Sequence, residues 1–142
     1  MANVIPYAFR GELFTGTHNF ASGGDSFKLA LYTANPYTTA STAYSATSEV
    51  SASGGSNYVA TGNALTGNAV VYSTAVASCD FADTEWTSAT FTAAFGAIYN
   101  DDQSDKLCVV LDFSGDKTAT NGTFKITFPS PATAADAIIS MA

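Results

Sequence analysis

The 142-residue chain carries 12 acidic and 5 basic side chains, which gives it a net charge of −7 with its single histidine neutral. Nucleic-acid binding depends on a basic surface that neutralises phosphates, and five scattered cations cannot build one. No stretch reaches the ~18 consecutive apolar residues of a membrane-spanning helix. With 46% hydrophobic residues, the chain has enough apolar surface for a core, which excludes disorder and predicts one domain.

The first 20 residues contain several large apolar side chains but lack the alternating pattern of a strand. They show no basic segment followed by an apolar one, so no signal peptide is predicted and synthesis in a cytosol is expected. Residues 1–20 are therefore predicted to form an N-terminal arm, with one or two short helical turns within Glu12–Phe20. This arm either folds back on the domain or docks on a neighbouring chain, with Phe9 and Phe14 as its anchors.

Alternation of apolar and polar residues, the pattern of a half-buried strand, recurs along residues 21–142. The clear segments are Phe27–Thr33, Thr90–Asn100, Lys106–Phe113 and Thr123–Phe128. Weaker candidates are Tyr58–Ala60, Asn68–Val76, Cys79–Phe81 and Ala137–Met141. Seven to nine short strands at this spacing predict an all-β fold, a single-domain antiparallel β-sandwich that is jelly-roll-like and spans residues 21–142.

Turn-forming residues separate the predicted strands. Asn100-Asp101-Asp102 and Asn121-Gly122 predict tight connections, and the second pair is a typical hairpin dipeptide. Ser114-Gly115-Asp116 predicts the end of the strand before it, and Pro129-Ser130-Pro131 predicts the end of the next strand.

Residues 34–56 form a long segment of mostly small and polar residues, in which Glu49 is the only charge. A long connection without secondary structure is typical of either a flexible surface loop or an interaction loop. Both interpretations stay open on the sequence alone. Tyr37 and Tyr44 favour interaction slightly, because tyrosine contributes contact area at low entropic cost.

The sequence predicts no catalytic or metal site. His18 is the only histidine, so serine-histidine-aspartate or histidine-based metal chemistry would need partners that the chain does not place. A structural role is expected for His18. The acidic groups 80/83/85 and 101/102/105 are expected to be solvated, and the second lacks the spacing of a calcium-binding loop. We therefore expect a protein that is not an enzyme and that uses no cofactor.

Three further side chains have structural interpretations. Cys79 and Cys108 match no zinc-ligand spacing and are predicted to be small buried hydrophobes rather than a disulfide. Trp86 lies shortly before the predicted strand Thr90–Asn100, like a tryptophan at a strand edge that enters the core, so we expect it in a core or a subunit contact rather than on a sugar-binding platform.

The low charge of the chain indicates self-association. Alanine occurs 25 times, threonine 19 times and serine 15 times. A sheet surface made of such residues can pack against a copy of itself or a partner with few charges to desolvate.

Several strings resemble small structural proteins encoded in the genomes of tailed bacteriophages. They are GELFTGTHNF (11–20), DSFKLALYT (25–33), FADTEW (81–86), AIYN (97–100), VLDFSGDK (110–117) and GTFKITFP (122–129). The resemblance spans nearly the whole chain except residues 34–56.

Among virion proteins, the resemblance is to capsid cement, or decoration, proteins. It implies a homotrimer on the outside of the head that binds the major capsid protein and bridges neighbouring capsomers. The candidate subunit or capsid contacts are Tyr7, Phe9, Arg10, Phe14, Phe20, Tyr37 and Tyr44. The alternatives are a tail or fibre component that contacts the host surface, and a carbohydrate-binding module.

Overall fold

The computed structural model describes residues 3–73, 75–129 and 137–141. It contains one helix, α1 (Tyr7–Phe14), and a short 3-10 turn at Asp101–Gln103. The strands are β1 (Phe27–Tyr32), β2 (Asn63–Ala64), β3 (Ala69–Ser73), β4 (Val76–Asp80), β5 (Thr84–Asn100), β6 (Lys106–Ile126) and β7 (Ile139–Met141). The prediction of a mostly β chain is confirmed.

The strands form two antiparallel sheets. The larger sheet has the order β2-β1-β5-β6, and the smaller one has the order β3-β4-β7. Within the described residues each sheet ends in two edge strands, β2 and β6 in the larger and β3 and β7 in the smaller. One hydrophobic cluster takes side chains from both sheets, among them Leu29, Cys79, Ile98 and Ile139, so the two sheets share a core.

The central pairing of the fold is the antiparallel ribbon of β5 and β6, which is longer than the sequence predicts. The two predicted strands 106–113 and 123–128 are one strand, β6, that ends at Ile126. The prediction that Ser114-Gly115-Asp116 ends a strand is therefore wrong. Ala93 pairs with Lys117 and Phe95 with Asp112, so residues 113–116 bulge out opposite Ala94 alone.

The predicted hairpin at Asn121-Gly122 is also a bulge. Gly122 pairs with Ala89, and Asn121 takes a positive φ of 46° while its backbone N–H donates to Thr90 Oγ1 at 2.9 Å. The same turn-forming residues suit a β-bulge as well as a turn, because both need a residue with backbone angles in the left-handed region. By contrast, the predicted turn after Asn100 is confirmed as the connection from β5 to β6.

The remaining strand predictions have mixed outcomes. Asn68–Val76 contains β3 and the start of β4, Cys79–Phe81 overlaps the end of β4, and Ala137–Met141 contains β7. Tyr58–Ala60 is not a strand, and Tyr58 is buried in the core. Ser130 and Pro131 of the predicted strand stop lie outside the described residues.

Residues 34–56 pack against the larger sheet. The segment 42–44 bonds the start of β6, where Leu107 N–H donates to Thr42 O at 3.0 Å, and Val50 N–H donates to Leu31 O of β1 at 2.9 Å. Since β5 lies between β1 and β6, the segment crosses the sheet and returns. It covers a second apolar cluster that includes Tyr32, Tyr37 and Tyr99.

Glu49 fixes this covering segment. Its carboxylate accepts from Tyr44 Oη at 2.6 Å, from Tyr58 Oη at 2.7 Å and from the Thr61 N–H at 2.8 Å. Tyr58 Oη in turn accepts from the Leu31 N–H at 3.0 Å. Burial and the nearby Glu49 charge raise the pKa of Tyr44 and Tyr58, so both hydroxyls stay protonated and able to donate. Together these bonds tie the covering segment to the C-terminal end of β1.

We expect Tyr58→Phe to lower the free energy of unfolding by about 2 kcal/mol, because it leaves the buried Leu31 N–H without its acceptor and removes one donor to Glu49. Urea denaturation measures this change. Tyr72→Phe, at an exposed tyrosine, is the matched control and is expected to change stability by less than about 0.5 kcal/mol. Equal effects of the two variants would contradict the role given to the Tyr58 hydroxyl.

Candidate functional site

A polar cluster fixes α1 to the end of the β5–β6 ribbon. Glu12 Oε1 accepts from Lys106 Nζ at 2.6 Å, and Glu12 Oε2 lies 2.8 Å from His18 Nε2. The His18 side chain is fully buried. An eight-residue helix with a glycine at position 11 is not stable by itself, so its geometry depends on such tertiary bonds and on the burial of Phe9.

The bonds around His18 define its protonation pattern. Asn100 Nδ2 donates to His18 Nδ1 at 2.9 Å and to Asp25 Oδ2 at 2.8 Å, while Asn100 Oδ1 accepts from the Asp102 N–H at 3.2 Å. Because Nδ1 accepts, Nε2 holds the ring proton and donates to Glu12. Both ring nitrogens are thus occupied by protein partners, which is the structural role predicted for this histidine.

The two acids of this cluster have lowered pKa values. Burial by itself raises the pKa of Glu12, but the hydrogen bonds from Lys106 and His18 and the positive charge of Lys106 together hold it below its usual 4.5. Burial likewise raises the pKa of Asp25, and hydrogen bonds from Asn100, Asn19 and Gln103 hold it below its usual 3.8. Both groups are therefore carboxylates at neutral pH, as the bonds they accept require.

The predicted loop acids bind other parts of the chain. Asp101 pairs with Lys28 at 2.8 Å, Asp102 Oδ2 accepts from the Ser26 N–H at 2.7 Å, and Asp83 pairs with Lys125 at 3.0 Å. Among residues 3–73, 75–129 and 137–141, no three histidine, cysteine or acidic side chains are grouped so that they could hold a metal ion. These acids join loops to strands.

Cys79 and Cys108 are free and buried. Burial first and the nearby Asp80 charge second raise the pKa of Cys79 to about 12, and burial also raises the pKa of Cys108. Such thiols are not ionised near neutral pH, so neither is an activated nucleophile. Trp86 is buried against Tyr58, Phe91 and Phe124, which confirms its predicted place in the core.

The seven predicted contact residues divide into exposed and buried ones. Phe9, Phe20 and Tyr37 are buried in the chain's own core, because they pack on the two faces of the larger sheet. They offer no surface to a partner, which differs from the expectation for them.

Of the other candidates, Tyr44 is half-buried and bound to Glu49. Tyr7, Arg10 and Phe14 are exposed, and all three lie on α1.

The exposed residues of α1 form one wall of a groove whose other wall is β7. This α1–β7 groove has a volume of about 630 Å³ and is lined by Ile5, Tyr7, Arg10, Leu13, Phe14 and all of Ile139–Met141. Phe14 is 93% exposed, Met141 58% and Tyr7 56%. Phe9 and Ile139 close its floor and belong to the shared core. The groove is therefore an exposed apolar surface on a rigid base.

Only the helical wall of this groove could be predicted from the sequence as a contact surface. The apolar residues of 4–20 mark the helix as a contact candidate, but β7 is 125 residues further along the chain than Phe14, and no pattern places the two together. Arg10 and Phe14 were identified from residue type, whereas Ile5, Leu13 and Met141 were not. Only the packing of the smaller sheet beside α1 brings Met141 to the site.

Comparison of the chain with protein-family models, with curated proteins and with solved structures finds no match. Among the helices of the described residues, none has the length and apolar character needed to cross a membrane.

The lowered pKa values of Glu12 and Asp25 predict acid sensitivity. Their folded pKa lies below the unfolded one, so their contribution to stability is complete above about pH 5 and is lost as the pH falls through the folded pKa. We expect Glu12→Gln to be about 2 kcal/mol less stable than the wild type at pH 6, because charge-assisted bonds to Lys106 and His18 are weakened. Between pH 5 and pH 3 the variant should lose less stability than the wild type, since glutamine does not titrate.

Urea unfolding at pH 6, 5, 4 and 3 measures both effects. Asp105→Asn, an exposed acid outside the cluster, is the control and should follow the wild-type curve. Parallel pH curves for Glu12→Gln and the wild type would show that Glu12 does not contribute through its charge.

Proposed function

We propose that this chain is a non-enzymatic structural protein of a phage virion, a capsid cement protein that binds the major capsid protein on the outside of the head. The observation that carries the proposal is the α1–β7 groove. It presents exposed aromatic and aliphatic side chains on a helix that the Glu12–His18–Lys106 bonds hold in place. The resemblance of the sequence to small virion proteins supplies the class of partner.

The amount of exposed apolar surface supports an interface. At ~200 Å² for each ring, Phe14 and Tyr7 alone expose roughly 300 Å². Ile5 and Met141 extend this surface into the range of roughly 300–600 Å² that marks the largest and often functional patch of a monomer. Exposed rings of this kind are typical anchors of protein–protein contacts, where they fill pockets of the partner.

The fold suits a clamp rather than a catalyst. The polar side chains that the sequence offers for chemistry are bonded to one another, as in the cluster of Glu12, His18 and Asn100. We infer that the two sheets form a β-sandwich with jelly-roll-like connections, since β1 pairs with β5 across three intervening strands. We further infer that copies assemble as a trimer, so that weak contacts of each copy with neighbouring capsomers add up through avidity.

The test is co-sedimentation of the purified chain with empty heads built from the major capsid protein of the same phage. We expect binding of the wild type and greater resistance of the heads to heat. Phe14→Ser should weaken binding about 10- to 100-fold, because it removes an interface anchor, and it should leave the free energy of unfolding within about 0.5 kcal/mol.

Tyr72→Ser is the matched control. Tyr72 is 81% exposed but lies on β3, outside the groove, so this variant is expected to bind heads like the wild type. Failure of the wild type to bind heads would overturn the proposal, and binding to host cells or glycans instead would favour a tail or fibre component. Equal losses of binding to heads for Phe14→Ser and Tyr72→Ser would show that the groove is not part of the interface.

A further inference from the structure

One wall of the α1–β7 groove is the edge of a sheet. β7 pairs with β4 through Cys79, Ser78 and Ala77, and within the described residues no strand pairs with its other side. All three residues of β7 line the groove. An edge strand presents backbone N–H and C=O groups that lack partners, and these groups can bond an added strand.

The opposite wall of the groove, α1, places side chains beside the outer edge of β7. Leu13 and Phe14 of α1 face the groove, and Ile5 and Tyr7 continue its wall toward the N-terminal end of the helix. The volume of about 630 Å³ falls within the range of roughly 300–1,000 Å³ that is typical of binding sites. A strand laid against β7 would place alternate side chains toward the apolar floor at Phe9 and Ile139.

Among the described residues that line the groove, Arg10 is the only charged side chain. It forms no ion pair within the described part of the chain, whereas Lys28, Lys106 and Lys125 each do. An arginine without an ion-pair partner in an apolar groove is a specific point of attraction for a carboxylate. The groove is therefore complementary to an apolar segment that carries one acidic residue.

We propose that the α1–β7 groove binds an extended segment of the shell protein, which adds to β7 as a fourth strand of the smaller sheet and places an acidic side chain against Arg10. This mode is β-strand addition, in which backbone hydrogen bonds give affinity and alternate side chains give specificity. The identity of the partner rests on the function proposed above. A bound helix would leave the β7 edge unpaired, so the extended conformation follows from the edge itself.

A second copy of this chain is a poorer occupant than a segment of the shell protein. In a two-fold contact the same patch of each copy comes together, so the two Arg10 side chains would approach each other, and no carboxylate of the described residues lines either groove. The charge of the groove thus disfavours a two-fold contact between copies of this chain.

Hydrogen–deuterium exchange of the full chain, free and bound to empty heads, tests the strand pairing. We expect the amides of residues 137–141 to exchange at least ~10-fold more slowly in the bound state, because an added strand bonds the outward N–H groups of β7. β3, the other edge of the same sheet, is the matched control and should exchange equally in both states.

A pair of charge reversals tests the acidic residue of the partner. Arg10→Glu should weaken binding to heads at least ~10-fold, and Arg10→Lys should restore most of it. Lys117→Glu is the control, because Lys117 is also exposed and forms no ion pair among the described residues, yet it lies on β6 away from the groove. It should bind like the wild type.

The outcomes separate this inference from the function on which it rests. Binding to heads without slower exchange in 137–141 overturns strand addition and leaves the proposed function standing. Equal losses for Arg10→Glu and Lys117→Glu overturn the acidic contact. Slower exchange in 137–141 that depends on protein concentration before heads are added assigns the groove to a second copy. Absence of binding to heads overturns the proposed function, and the partner named here with it.

Discussion

Burial of both faces of the larger sheet is the constraint on which the rest of the structure depends. β1 and the second half of β5 alternate between two apolar clusters, so Leu29 and Ile98 face one cluster while Ala30 and Tyr99 face the other. A small chain with one helix and one three-stranded sheet can cover only one of these faces with regular structure. Residues 34–56 cover the second face, and this accounts for a loop that is long but closely bonded to the sheet.

A covering segment without secondary structure must satisfy its polar groups by other means. Glu49 and the tyrosines provide the hydrogen-bond partners. Three donors bond the Glu49 carboxylate, and the Tyr32 and Tyr37 hydroxyls bond each other at 2.6 Å. The same residues that make the segment resemble an interaction loop in the sequence are therefore used within the molecule.

On the face of the larger sheet that packs against α1 and the smaller sheet, the covering elements leave some of their own apolar side chains exposed. α1 buries Phe9 and fixes Glu12 to His18 and Lys106, but its next turn leaves Phe14 in solvent. No strand of the described residues pairs with the outer edge of β7 beside it, so apolar side chains and an open strand edge come together in one groove. A rigid helix and an open strand edge are the two elements that a partner can use without disturbing the core.

The sequence by itself determined the class of the fold, because alternation places apolar side chains on one face of each strand independently of distant residues. It also predicted buried cysteines and a Trp86 in a core or a subunit contact, and it identified Phe14 and Arg10 as contact candidates. Tertiary structure alone decided that Phe9 and Tyr37 are buried, that Ser114-Gly115-Asp116 and Asn121-Gly122 are bulges, and that β7 lies beside α1. The physical reason is the same in each case: a residue's local preference fixes its conformation, whereas its exposure and its partners depend on which distant segment is left to cover it.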